Sequence, residues 1–169
     1  MSKAVVAQVF DSRPGVQRMW YRVFGSSQTE PAPAGLAEHL HALGLAVEPH
    51  FRGDDLGWTE GALRLPSGAV VQLSRYLTKE DDLRDDLNAH AAELETMEGN
   101  PHATQLMERV IQTQQLITLR KPTEGSDEAV VDRTLEEAAR FLASATIGVY
   151  QADSRGWFAA SGELLVREQ

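Results

Sequence analysis

The chain is expected to fold as an α+β domain: a mainly antiparallel sheet with two long helices on one face, ferredoxin-like or a duplicated version of that arrangement. Three observations predict this class. Val131, Leu135, Ala138, Leu142 and Ala145 recur at helical spacing and mark a long helix over Asp127–Thr146. Leu83, Leu87, Ala91, Leu94 and Met97 do the same for Thr78–Glu98. Between and around these stripes lie short extended runs rich in β-branched and aromatic residues, separated by Gly, Pro and Asp.

In chain order, Ala4–Phe10 reads as a buried strand ended by Asp11-Ser12-Arg13-Pro14-Gly15. The stretch Val16–Phe24 has two readings. Val16, Met19, Trp20, Val23 and Phe24 follow helical spacing, whereas Trp20-Tyr21-Arg22-Val23-Phe24 is strand-rich and would pair back on Ala4–Phe10. The short helix is preferred. Ala34–Leu43 is a helix carrying Leu36, Leu40 and Leu43, with Gly44 placed to end it. Leu45–Arg52 is a strand, and Gly53–Gly57 a turn before Trp58.

Leu63–Leu65 and Ala69–Tyr76 flank Pro66-Ser67-Gly68 as a hairpin. Thr78 opens the first long helix with a near capping box, and Gly99 closes it. Asn100-Pro101 restarts a helix, because Asn caps free N–H groups and Pro suits the first helical position. Gln115–Arg120 is a strand. After the second long helix come Ile147–Gln151, the turn Asp153-Ser154-Arg155-Gly156, and Glu163–Val166.

No linker divides the 169 residues, so residues 1–169 read as a single domain. An internal pseudo-repeat over 34–65 and 133–166 is weighed against chance. When Asp54 is set against Asp153, Gly57 meets Gly156, Trp58 meets Trp157, and Leu36 meets Leu135. Asp and Gly are ordinary turn residues, which is the plainer explanation.

Composition excludes several functions. The chain has no Cys, so disulfides, thiol catalysis and thiolate metal sites are ruled out. A net charge of −9 argues against nucleic acid and anionic membrane surfaces as partners. No run is long and apolar enough for a membrane helix, and the N-terminal residues lack a signal-peptide pattern, so a cytoplasmic protein is expected.

The two Asp-x-x-Gly-Trp turns are the leading candidate ligand-binding residues: Asp54, Asp55 and Trp58 in one, Asp153 and Trp157 in the other. Facing each other, they would supply carboxylates and aromatic walls to a cleft. The plainer reading is that each Asp starts a turn and each Trp packs into the sheet. Asp82, Asp86 and His90 share one side of a helix, but acids also belong at a helix N-terminus, so no metal and no cofactor are expected. His39, His41, His50 and His102 have no fixed partner in the sequence. Arg13, Arg18 and Arg22 beside Trp20 and Tyr21 suit an anionic or aromatic ligand, or an ordinary arginine-rich surface.

Three functions follow in order of preference. The first is a non-enzymatic acidic binding domain, an inhibitor or immunity-type partner of a basic protein. The second is a small-molecule sensor or enzyme with a cleft between the two turns. The third is a structural homo-oligomer using a sheet face or strand edge. Catalytic residues are not assigned.

Overall fold

In a computed structural model the described residues are 20–77, 81–97, 100–122 and 128–167, with side chains 81 and 82 also outside the description. They form β1 (Trp20–Gly25), α1 (Pro33–Ala42), β2 (Glu48–Asp54), β3 (Gly57–Arg64), β4 (Val70–Leu77), α2 (Asp81–Glu95), α3 (Ala103–Ile111), β5 (Gln115–Arg120), α4 (Glu128–Ala145), β6 (Gly148–Ala152), β7 (Gly156–Ala159) and β8 (Leu164–Arg167). The strands make one eight-stranded sheet in the order β2-β3-β4-β5-β1-β6-β7-β8, and every neighbouring pair is antiparallel. None of the described helices is long and apolar enough to cross a membrane.

Residues 20–25, for which a helix was preferred, are the central strand. Tyr21 and Val23 face one core, Phe24 the other, and both edges are occupied, by β5 and β6. A strand buried on both faces shows no apolar–polar alternation, so its apolar residues fell by chance at helical intervals. The strand expected over Ala4–Phe10 lies outside the described residues.

The helices are not on one face. Leu36 and Leu40 of α1 and Val131, Leu135 and Leu142 of α4 pack with Val23, Val71 and Leu119 on one side. Leu83, Leu87 and Leu94 of α2 and Leu106 and Val110 of α3 pack with Phe24, Leu116 and Val149 on the other. Each face of a sheet this wide exposes an apolar layer that a helix pair must cover, so the helices divide between the faces. α2 ends at Glu95, short of the expected Glu98. α3 begins at Ala103, and Asn100 accepts a hydrogen bond from the His102 backbone N–H (2.9 Å) just before it. The β3–β4 hairpin turns through Pro66-Ser67-Gly68, with Gly68 at φ +92°.

One backbone conformation carries a cost. Ile147, directly after α4, sits at φ +54° and is 65% exposed. A β-branched side chain in the left-handed region is strained by ~1–2 kcal/mol, and here burial returns little of it. Ile147→Gly is expected to raise stability by about 1 kcal/mol, read as a higher midpoint in urea at unchanged slope. A midpoint that falls would show that the Ile147 side chain stabilises the native state more than the strain costs.

Candidate functional site

The β2–β3 hairpin ends in a tip built over a buried arginine. Asp54 pairs with Gly57 across the turn, leaving Asp55 and Leu56 at the apex. The Asp54 carboxylate accepts the Leu56 backbone N–H (2.8 Å), the local bond that makes Asp a turn-former. Gly57 has φ +110°, and a Cβ there would sit 2.5 Å from the Glu30 carboxylate and 2.9 Å from the Arg75 guanidinium, so both backbone and space demand glycine.

Arg75, on β4, is 4% exposed, and all three of its guanidinium nitrogens donate. Nε donates to the Gln115 side-chain oxygen (2.7 Å), Nη1 to the carbonyls of Trp58 (3.0 Å) and Leu56 (3.2 Å), and Nη2 to that of Gln28 (3.5 Å). Burial lowers the Arg75 pKa, with Glu30 and Asp54 acting in the opposite sense. Gln115 in turn donates to the carbonyls of Ser27 (2.6 Å) and Thr29 (2.8 Å), tying the 26–32 loop to the same point. Glu30 accepts the Trp58 backbone N–H (2.6 Å), and the Trp58 indole donates to the Pro31 carbonyl (2.8 Å).

Trp58 is therefore a pillar rather than a wall. It is 4% exposed, edge-on to Phe51 at 4.9 Å. Outside it lies a shallow hollow of about 620 Å³ rimmed by Glu30, Asp54 and Asp55, with Phe51 in its lining and Leu56, 52% exposed, at its lip.

The structure does not bring the second turn to this place. Trp58 belongs to the α1/α4 core and Trp157 to the α2/α3 core, on opposite faces of the sheet. The turn after β2 lies at the end of the sheet marked by Gly25, the turn after β6 at the end marked by Trp20. β3 and β7 are also five strand spacings apart, roughly 24 Å. No cleft forms between them. Asp153 is instead a half-buried tie: its carboxylate accepts the Trp20 backbone N–H (3.1 Å) and Arg22 Nη1 (2.6 Å). Arg22 is buried and also donates to the Gln151 side chain (2.7 Å). Of the arginine cluster considered above, Arg13 and Arg18 lie outside the described residues. Asp86 and His90 are buried under α2, and the Asp82 side chain is undescribed; among the described residues no three His, Asp or Glu side chains converge on one point. His41 contacts the Val47 carbonyl (2.8 Å), and His50 pairs with Glu48 (2.8 Å).

A second polar centre escaped the sequence. Glu136 of α4 accepts bonds from the hydroxyls of Tyr21 (3.4 Å) and Tyr150 and from Arg155 (2.5 Å), while Arg155 also donates to the Tyr21 hydroxyl (2.8 Å). Burial first, and the Glu136 charge next, push the Tyr21 hydroxyl up to about 12. Burial and the bond to Glu136 also raise Tyr150. The sequence pairs Glu136 with Arg140; in the fold Arg140 reaches Glu137 (3.4 Å) and Glu136 turns to the sheet. The signal was Glu136 lying on the edge of the apolar stripe, one position after Leu135. This clamp fastens α4 to β1 and β6.

No protein-family model, no curated protein and no solved structure matches this chain.

Proposed function

We propose that the chain is a non-enzymatic binding protein that receives a basic partner on the β2–β3 tip. One observation carries the reading: an exposed leucine stands between carboxylates on a hairpin whose base is locked. An apolar centre with a charged rim is the usual plan of a binding surface, and a preorganised loop loses little freedom on association. The hollow's carboxylates Glu30, Asp54 and Asp55 outnumber its one arginine, Arg52, which is paired with Glu60, so its complement is a lysine- or arginine-bearing surface with an apolar pocket for Leu56.

Charge placement supports this. Arg22 and Arg75 are consumed in the interior, and Arg155 and Lys121 are held by helix carboxylates. Four cations are thus taken up internally, while the whole chain keeps a net charge of −9. Such a surface suits an inhibitor or immunity-type role toward a basic protein.

A photo-crosslinking residue placed at Leu56, and for comparison at Ser67 of the β3–β4 turn, tests the reading in the producing cells. A basic protein should be captured from Leu56 and not from Ser67. Asp55→Lys should weaken its binding roughly tenfold or more, mainly through the association rate. Capture equal at both turns, or indifferent to Asp55→Lys and to salt, would remove the proposal.

A further inference from the structure

We propose that the hollow between α3 and the α4–β6 junction binds a small carboxylic acid with an apolar body. It lies on the β6–β8 side of the sheet, away from the β2–β3 tip, and does not rest on the function proposed for that tip.

The site begins with spacing on α3. His102, Gln105, Leu106 and Arg109 recur at three- and four-residue intervals, so they share one side of that helix and its first turn. Ser144 and Ile147 from the α4–β6 junction and Leu165 from β8 help to complete the lining of a space of about 480 Å³. Small-molecule sites enclose about 300–1,000 Å³ and combine apolar surface with a few polar groups that fix orientation. This hollow has both properties.

The lining is selective in charge. The chain carries a net charge of −9, yet none of the residues lining this hollow is acidic, and two of them are Arg109 and His102. Arg22, Arg52, Arg140 and Arg155 each pair with a carboxylate. Arg109 is exposed and pairs with none among the described residues. Its Nη1 donates to the Ile147 carbonyl (3.0 Å), and among the described residues its Nε and Nη2 bond to no protein atom. Nε and Nη2 form one edge of the planar guanidinium, and two parallel donors on such an edge match one carboxylate. Gln105 and His102 add donors on the same side of the helix.

The apolar wall contains the strained residue. Ile147 holds φ +54° with 65% of its surface exposed. Its carbonyl accepts Arg109 Nη1, the Ser26 backbone N–H (3.4 Å) and the Ser26 hydroxyl, so α3 and the end of β1 both fix the junction in this conformation. Strain of this kind persists where the surroundings over-determine it, and it concentrates at ligand clamps. The apolar body of a bound acid would lie on Leu106, Ile147 and Leu165, and would give Ile147 the burial that the fold alone leaves out.

Sodium decanoate is the probe, and decyltrimethylammonium, with the same chain and the opposite charge, is the comparison. Amide NMR of the full chain should show decanoate shifting resonances at 102–109, 144–149 and 159–165, with a Kd of roughly 0.1–1 mM as suits an open site. The ammonium should bind the hollow roughly tenfold more weakly or not at all. Arg109→Gln should weaken decanoate binding roughly tenfold. Gln105→Glu removes no bond among the described residues and sets a carboxylate one turn before Arg109, so it should weaken binding to a similar degree. Urea midpoints show whether each variant is folded, and Gln105→Glu decides the matter if Arg109→Gln is not. No shift at about 5 mM decanoate overturns the proposal. So do shifts that fall outside the hollow, equal binding of the two amphiphiles there, or decanoate binding indifferent to the folded variants.

Discussion

Arg75→Met is expected to destabilise the protein by roughly 2–5 kcal/mol, the largest loss among the substitutions considered. Methionine approximates the length and apolar stem of arginine, so the packed space is kept. What disappears is the donor set. The Trp58 carbonyl and the Gln115 side-chain oxygen lose their bonds in the interior, and the part-buried Leu56 carbonyl loses its own at the edge. Each buried acceptor left without a donor costs about 1–3 kcal/mol, and the two here exceed what one new apolar contact returns. Glu30, oriented by the Trp58 N–H, loses the cation beside it as well. Arg75→Lys should recover only part of the loss, because one ammonium cannot span Gln115, Trp58 and Leu56 in the plane of a guanidinium fork. Urea unfolding gives the magnitude. Hydrogen exchange gives the location, with faster exchange at 54–58 and at 27–30 before the global transition. A loss below about 1 kcal/mol for Arg75→Met would mean that these carbonyls are already hydrated or otherwise paired, and that Arg75 does not hold the tip.

The parts of this fold that the sequence announced are those where local chemistry decides. Gly44, at φ +81° after α1, and Gly68, at φ +92° in the β3–β4 turn, mark their turns because only glycine enters that region without strain. The stripe from Val131 to Leu142 marked α4 because one face of it is buried and the other is wet. The side of the sheet each helix covers was not legible, since an amphipathic stripe records that a face is buried and not against what. The central strand was misread because burial on both faces erased its pattern. The shared Asp-x-x-Gly-Trp motif has a local cause: in both turns a glycine at φ +110° or +133° closes a hairpin, and a tryptophan follows it into a core. That local likeness says nothing of position, and the sheet sends the two turns to opposite ends. Arg75 and Glu136 were missed for the complementary reason. Each gathers partners from distant segments, and in the sequence each is one more charged residue.

Acid should destabilise the protein through a single buried imidazole. His90 is 5% exposed, packed edge-on to Phe24 (5.4 Å) and Trp157 (6.2 Å). Burial above all, and then the positive charge of Arg22, hold its pKa down at about 3 against an ordinary value of 6.5. Asp86 lies one turn earlier on the same helix and Arg22 comes from β1 below, so a proton arriving on His90 would enter a region that already holds a guanidinium. The unfolded chain binds this proton below about 6.5, whereas the native chain refuses it until about 3. The contribution to stability is therefore complete above 6.5 and is lost as pH falls through that window. For one proton the slope approaches about 1.4 kcal/mol per pH unit. The other described histidines, His39, His41, His50 and His102, are at half-exposed or exposed positions. His90→Phe, which keeps an aromatic ring against Phe24 and Trp157, should flatten the stability profile between pH 6 and 4 relative to the parent. Urea midpoints taken at several pH values measure the difference, and an NMR titration of the His90 ring assigns it. A ring that titrates near 6.5 in the native protein, or a parent and variant whose profiles run parallel, would show that the proton is accommodated and that the acid sensitivity lies elsewhere.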